Sequence, residues 1–327
     1  MAAILDRYPG VPWLYTGALE NHPDSIDRMA ATNPLLGISG RPLRRARDPV
    51  DWGTILRRAG FRVATVVGPD ESAPRDELPR LLKPIASGGG LGIVRAPADL
   101  DVVPAGRYLQ ERLEGISLGV AFLADGSRTR RLGVTRMSLA RSDGGLRTEY
   151  RGCVGPWPVT SDAGRCLDRI GETLAEGLGL RGLFGIDVVV QDGVPIPIEI
   201  NPRYTASIEV IEETGGASLL GEHARVWGVE SIAPSISNGT KPDVAAKRIV
   251  FARRRLIVPE DGPWPAPDEN WPAASDIPRG GTVVERGEPV LTARARGRTA
   301  VEAIARLRKA VAGWRREMTR WELRAGS

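Results

Sequence analysis

The segment Gly185–Arg203, "GIDVVVQDGVPIPIEINPR", constrains this chain more than any other, because its apolar pattern accepts few strand registers. Asp192–Gly193 invites a two-residue turn between two strands. That turn would place Glu199 opposite Ile186 and leave a carboxylate among Ile186, Val188, Val190, Pro195 and Pro197. A three-residue loop, Asp192–Gly193–Val194, instead gathers Ile186, Val188, Val190, Ile196, Ile198 and Ile200 on one face. The other face then carries Asp187 across from Glu199, followed by Asn201 and Arg203. A slip of one residue turns every side chain over, so the aliphatic pattern selects the second register.

Two carboxylates at cross-strand distance repel unless a cation lies between them. Hard oxygen donors from Asp187, Glu199 and the Asn201 amide suit Mg²⁺, with Mn²⁺ as the alternative ion. Arg203 offers a planar fork for a phosphoryl or carboxylate group. The plainer explanation is a solvated polar sheet face, but the order Asp–Glu–Asn–Arg opposite six aliphatics favours a metal site.

A second segment, "LLKPIASGGGLGIV" (81–94), sets Lys83 in an apolar strand just before a glycine loop. The loop lacks the ending of a Walker loop and precedes a strand, not a helix. What remains is a strand, a bare-backbone loop and a strand, in which Gly88, Gly89, Gly90 and Gly92 let N–H groups approach phosphate oxygens and Ser87 adds a hydroxyl. A flexible hairpin would look the same. Lys83 shifts the balance: only four of the 45 basic residues are lysines (Lys83, Lys241, Lys247, Lys309), and one buried in a strand needs an anionic partner. "YLQERLEGIS" (108–117) then supplies an extended stretch whose backbone can meet a base edge. Glu111 or Glu114 could orient base or ribose, although Glu111 on a solvated strand face fits equally.

Composition sets bounds. The 327 residues suffice for two or three lobes, and the net charge is +5. The basic residues are dispersed and interrupted by acids, which argues against nucleic acid as partner and for a small anion. No apolar run is long enough for a membrane span, and Met1 to Pro9 does not read as a signal peptide. Two cysteines make neither a disulfide framework nor a zinc site, so a reducing cytoplasm is expected.

Along the chain, "VPWLYTG" (11–17) and "LLGISG" (35–40) read as short strands around a helix at 22–32 capped by Asn21 or Asp24, and a helix follows over 48–61. This small unit either leans on the rest or is incomplete. Strands dominate 62–124, and a helix is expected over 161–179. The stretch 142–156 is either a mobile flap or a surface loop, and 259–280 is a proline-rich loop. A hairpin around Arg286–Gly287 precedes a last helix with Val301, Ile304, Leu307, Val311 and Trp314 as its core stripe.

In this order the pieces resemble the ATP-grasp superfamily: a "KP" strand (Lys83, Pro84), a glycine-rich loop (Ser87 to Gly92), a hinge at the adenine (Gln110, Glu111, Arg112 and Leu113, with Gly115) beside which Glu114 is a further nucleotide-binding candidate, and paired Mg²⁺ carboxylates ending in "E-x-N-P-R" (Asp187, Glu199, Asn201, Pro202, Arg203). The resemblance implies an α+β fold of two lobes clasping ATP. It would comprise a short α/β N-terminal domain (1–61), a small lobe with the glycine loop (62–117), a large lobe with the metal site (118–235), and a C-terminal β-hairpin and helix region (240–327). It also implies an enzyme that phosphorylates a carboxylate with Mg·ATP and lets an amine displace phosphate. Small-molecule acid and amine substrates are the expected partners, and a homodimer the candidate assembly. "YTGALENHP", "NPRYTASIEVIEETG" and "DIPRGGTVVERGEPVLT" resemble carboligases associated with methanopterin- or methanofuran-type one-carbon cofactor metabolism, related to ligases that join glutamate to tyramine-like amines.

Asn201 and Arg203 are then the candidate catalytic groups. Tyr204, Thr205, Ser207 and His22 are candidates for substrate contact, with helix capping by Thr205 and plain solvation of His22 as the alternatives. The chain departs from the family pattern in three places. No lysine precedes Lys83, where Arg45 or Arg47 could substitute. Residues 1–50 are shorter than the usual first domain and are expected to be truncated. Ser117 also stands where a ribose-binding acid often lies. A catalytically impaired ATP-binding subunit, or a carboxylase or kinase of the same superfamily, would share these residues.

Overall fold

The computed structural model describes residues 2–141, 146–230, 243–265 and 271–322. The first part is helical: α1 (Ala2–Leu5), α2 (Pro23–Ala30), α3 (Gly40–Ala46) and α4 (Pro49–Arg58). Asp48 caps α4 by accepting from the Val50 and Asp51 amides, and Pro49 occupies the first turn, where its missing N–H costs nothing. The two strands expected here shrink to one parallel bridge, Trp13 with Leu35, and neither Asn21 nor Asp24 caps α2, whose N-cap is His22. Two short strands make a poor sheet. Instead Trp13, Tyr15, Ile26, Leu43, Trp52 and Leu56 share one core with the helix and sheet of the large lobe.

The small lobe is a four-stranded sheet in the order β1-β4-β2-β3, from β1 (Val66–Val67), β2 (Arg80–Pro84), β3 (Val94–Arg95) and β4 (Arg107–Glu111). Residues 112–115 lead into the first strands of the large sheet, β5 (Ile116–Ala124), β6 (Thr129–Arg141) and β7 (Arg147–Gly155). The stretch proposed as a flap or surface loop is therefore a sheet strand over 147–155, with Cys153 buried; residues 142–145 lie outside the described residues. Next come α5 (Ser161–Leu178), β8 (Gly182–Gln191), β9 (Val194–Asn201), α6 (Ile208–Gly215) and α7 (Leu219–Val226).

After the break at 235–240, which lies outside the described residues, follow β10 (Val244–Phe251), β11 (Leu256–Ile257), β12 (Ala274–Ser275), β13 (Val283–Val284), β14 (Pro289–Gly297) and α8 (Ala300–Trp321). The expected C-terminal hairpin does not form: β13 pairs with β11, while β14 pairs with β10 and β12. Buried Val290, Leu291 and Ala293 give β14 an apolar face that the large sheet covers better than a two-stranded ribbon would. That sheet has eight strands, in the order β12-β14-β10-β7-β6-β5-β8-β9. On α8 the buried positions are Ala303, Leu307, Val311 and Met318, and Val301 is exposed, so the expected stripe is displaced at its start.

Alternation along β8 divides the sheet into two faces. Phe184, Ile186 and Val188 pack with Leu118, Val120, Phe122 and α5 in the main core. The opposite face carries Leu183 under α6 and then Asp187. The β8–β9 ribbon itself combines both registers weighed from the sequence. Val194 pairs with Gln191, so the turn has two residues, Asp192 and Gly193, with φ of 54° and 79°. Pro195 and Pro197 lie opposite Val190 and Val188; then the register shifts, and Glu199 lies opposite Asp187. The six-aliphatic face expected from a three-residue loop is thus corrected: Ile196 pairs with Val189, and Ile198 is the extra residue of a β-bulge. Proline is tolerated because β9 is an edge strand.

Candidate active site

The bulge at Ile198 organises the site. It returns Glu199 to the same row as Asp187, and Asp187 in turn lies opposite Gly119 on β5. A Cβ on Gly119 would lie 3.3 Å from Thr135 Oγ1, tighter than an ordinary contact, and in ordinary contact with Ser207 Oγ at 3.6 Å and Asp187 Oδ1 at 3.8 Å, so these groups converge over β5. Burial first, and the Glu199 charge second, push Asp187 up to about 7, against the pull of Arg203, Lys83 and a hydrogen bond from Asn201. Among the described residues no group of three His, Cys, Asp or Glu side chains could hold a metal. The donor set is two carboxylates and an amide, which fits a hard divalent ion that keeps positions for water and phosphate oxygens.

Lys83 lies in the buried part of β2, 6% exposed. Its Nζ donates to Gln110 Oε1 at 3.0 Å and sits 5.5 Å from the centre of the Tyr108 ring. Burial alone would lower its pKa, but Tyr108, Glu199 and Asp187 outweigh that, and the value stands above that of an ordinary lysine. Gln110 Nε2 donates in turn to the Ile198 carbonyl at 3.1 Å. The bulged residue thus ties the small lobe to β9.

The glycine loop folds onto the large lobe. Tyr150 N–H donates to the Gly89 carbonyl at 2.9 Å. Gly90, with φ of 77°, lies so close to β7 that a Cβ there would meet the Thr148 carbonyl oxygen at 1.9 Å. Ser87 Oγ donates to the Leu91 carbonyl. Between loop, Lys83 and Glu199 remains a pocket of about 30 Å³, also lined by Gly88 and Gly90. A larger cleft of about 500 Å³ lies along the hinge, walled by Arg112, Leu113, Glu114 and Ser117 and by Met137 and Leu139 of β6.

Other candidates fall elsewhere. Glu111 accepts from the Thr65 N–H and hydroxyl, on the small-lobe side, and does not line the hinge cleft. Gln110 is the buried strut just described. The Arg203 fork is engaged with protein: Nε donates to Glu20 at 2.6 Å, one terminal nitrogen to Asn201 Oδ1 and the other to the Tyr204 carbonyl. The Tyr204 hydroxyl donates to Glu212, and the Thr205 and Ser207 hydroxyls bond each other at 2.9 Å. No side chain caps α6, so the capping alternative for Thr205 is not what is found. His22 is exposed at the head of α2.

Several groups at the site escaped the sequence. Arg47, not Arg45, reaches it: Arg47 donates to Glu199 at 3.2 Å, to Asn21 and to the Ile85 and Ser87 carbonyls, while Arg45 binds Asp51 and the Gly177 carbonyl. Glu20 is buried behind Arg203. Farther along the same sheet face, Lys247 and Arg294 both bind Glu209. The scarcity of lysine that singled out Lys83 would have singled out Lys247 too, since it sits in the apolar strand "VAAKRIVF". For Glu20 no local pattern exists to find it.

Residues 55–207 match the model of the ATP-grasp domain family. The carbamoyl phosphate synthase large chain of Micrococcus luteus is 28% identical over 229 residues, 64% of this chain and 20% of that one. The chain thus spans about a fifth of the length of the curated relatives it first matches. Biotin carboxylase from Campylobacter jejuni, solved as a β-γ-ATP complex, has a TM-score of 0.71 at 16% identity, covering 94% of this chain and 75% of that one. Phosphoribosylamine–glycine ligase from Thermotoga maritima has a TM-score of 0.64 at 17% identity, covering 95% and 84%. The fold is ATP-grasp.

Proposed function

We propose that this chain is an ATP- and Mg²⁺-dependent ligase that joins a carboxylate to an amine through an acyl phosphate. One observation carries the reading: Lys83, the closed glycine loop and Glu199, which lies across from Asp187, line one small pocket, and a separate cleft of about 500 Å³ runs along residues 112–117. The cleft accommodates a nucleotide base and ribose against Leu113, Met137 and Leu139, with Ser117 and Glu114 at its polar side.

Asp187 and Glu199 are the groups to hold Mg²⁺, with the Asn201 amide between Asp187 and Arg203. When bound, Mg²⁺ would neutralise charge on the transferring phosphoryl group. Lys83 supplies a fixed, desolvated cation near the same point, and Arg203 supplies a guanidinium once released from its present partners. The glycine loop, seated on Thr148 and Tyr150, keeps water from a hydrolysable acyl phosphate. The reaction asks for no side-chain nucleophile.

The name of one structural neighbour, phosphoribosylamine–glycine ligase, supports the amine-ligase class, while biotin carboxylase fits the carboxylase alternative that shares the same ATP residues. At finer grain, the resemblance of the "YTGALENHP" and "NPRYTASIEVIEETG" segments supports glutamate as the acid and a one-carbon cofactor precursor as the acceptor. A nucleotide-binding subunit without turnover is the second reading. One observation favours it: no lysine precedes Lys83, and Arg47, which reaches the site from that region, is bound to Glu199 and loop carbonyls.

The test is ATP turnover against a panel of carboxylates with hydroxylamine as a general acceptor, scored as hydroxamate. Hydroxamate formed with one acid and dependent on Mg²⁺ supports the ligase. ATP binding with no turnover for any acid, amine or bicarbonate supports the binding subunit.

A further inference from the structure

Two of the described lysines are buried in strands, and they are partnered differently. Lys247, 5% exposed, meets the Glu209 carboxylate at 2.8 Å. Lys83, 6% exposed, donates to the neutral amide of Gln110 at 3.0 Å, and among the described residues no carboxylate forms an ion pair with it. An ammonium has three donors, so Gln110 leaves others for a ligand in the small pocket that Lys83 lines.

The pairing of β2 with β4 sets Lys83 opposite Tyr108 and Leu81 opposite Gln110, so alternation puts these four side chains on one face. Leu82 and Leu109 take the other face, in the core of the small lobe. Gln110 is 2% exposed and reaches in two directions. Its Oε1 accepts from Lys83, and its Nε2 donates to the Ile198 carbonyl at 3.1 Å. An ammonium only donates and a carbonyl only accepts, so the two partners fix which way the amide points. Ile198 is the extra residue of the bulge and stands next to Glu199. Two side chains of similar length would fail here. Glutamate would cancel the Lys83 charge and turn a carboxylate toward the Ile198 carbonyl, while methionine would satisfy neither partner.

We infer that Gln110 is a positioning residue for the phosphate end of the site: it holds the Lys83 ammonium against β9 without cancelling its charge, which is left for a phosphate of the ligand. The inference rests on the nucleotide-binding part of the reading above and not on the fate of the phosphoryl group. Gln110 lines neither the small pocket nor the hinge cleft, so its effect passes through Lys83.

The experiment titrates the full chain by calorimetry with metal-free ADP and, separately, with adenosine, which lacks the phosphates that Lys83 would meet. Gln110→Met should weaken ADP about fivefold or more and adenosine by less than about twofold. In a Lys83→Met background the same change should cost ADP less than about twofold, because the group it acts through is gone. Gln110→Glu, which pairs with Lys83, should weaken ADP more than Gln110→Met does. If the glutamate variant does not fold, the methionine cycle decides alone. Equal loss of ADP affinity with and without Lys83, or adenosine falling together with ADP, would assign Gln110 a merely structural role and overturn the inference. Absence of ADP binding by the wild-type chain would overturn the nucleotide reading and this inference together. ADP binding that follows the cycle, without turnover of any acid, would count against the ligase reading alone.

Discussion

Arg47 donates to Glu199 at 3.2 Å, so an N-terminal cation is held against one of the two carboxylates that face each other across the β8–β9 ribbon. The same guanidinium binds the Ile85 and Ser87 carbonyls, and Asn21 Nδ2 also donates to Ser87. One side chain thus links β9 to the root of the glycine loop. Hydrogen bonds to a charged group contribute about 1.5–3 kcal/mol each. Arg47→Met should therefore speed amide exchange across Ser87–Leu91 by about 10- to 100-fold, with α5 unchanged. Exchange at the wild-type rate would show that the loop is held by Tyr150 and Thr148 alone.

Asp187 and Glu199 are opposed like charges, and burial adds to the strain on Asp187. Like charges directly opposite destabilise a strand pair by about 0.2–1 kcal/mol. Asp187→Asn should raise the melting temperature of the metal-free protein by about 1–3 °C and abolish Mg²⁺ binding in calorimetry. A less stable variant that still binds Mg²⁺ would place the cation elsewhere.

Gly90 separates loop closure from folding. Its φ of 77° and the Thr148 oxygen at 1.9 Å from a built Cβ exclude alanine from the closed loop, whereas Gly88 has open space and no positive φ. Gly90→Ala should cut turnover by about 100-fold while the melting temperature stays within about 3 °C, the loop simply remaining open. Gly88→Ala should keep most of the activity. Equal loss in both would mean that closure is not the limiting feature.

His223 sets a pH limit on the N-terminal docking. Its Nδ1 accepts from the Leu183 N–H at 2.8 Å and its Nε2 donates to the Leu36 carbonyl at 2.9 Å. Burial lowers its pKa, with the Leu36 bond opposing. The unfolded chain therefore takes up this proton at a higher pH than the folded one, and stability falls as pH drops below about 6.5. Urea midpoints at pH 7.5, 6.5 and 5.5 should decline for the wild type and decline less for His223→Gln. Parallel curves would acquit His223.

Much of the site was legible because it depends on local pattern. Period-two alternation put Asp187 across from Glu199, and a lone lysine in an apolar strand pointed to Lys83. The bulge was not legible: the aliphatic run at Ile196, Ile198 and Ile200 demanded one register and Asp192–Gly193 another, and the ribbon follows the second as far as Pro197 before the extra residue at Ile198 restores the first for Glu199 and Ile200. Long-range pairings were lost for a similar reason. Nothing local tells β14 to join β10 instead of β13, and nothing near Glu20 or Arg47 in sequence signals Arg203 or Glu199.

Glu199→Gln gives the most direct test of the central claim, since it keeps size and removes the charge that Asp187, Lys83 and Arg47 surround. Turnover of Mg·ATP with the acid that supports hydroxamate formation should fall at least 100-fold, with an unchanged circular dichroism spectrum and melting temperature. Turnover at the wild-type rate would contradict a metal site at Glu199.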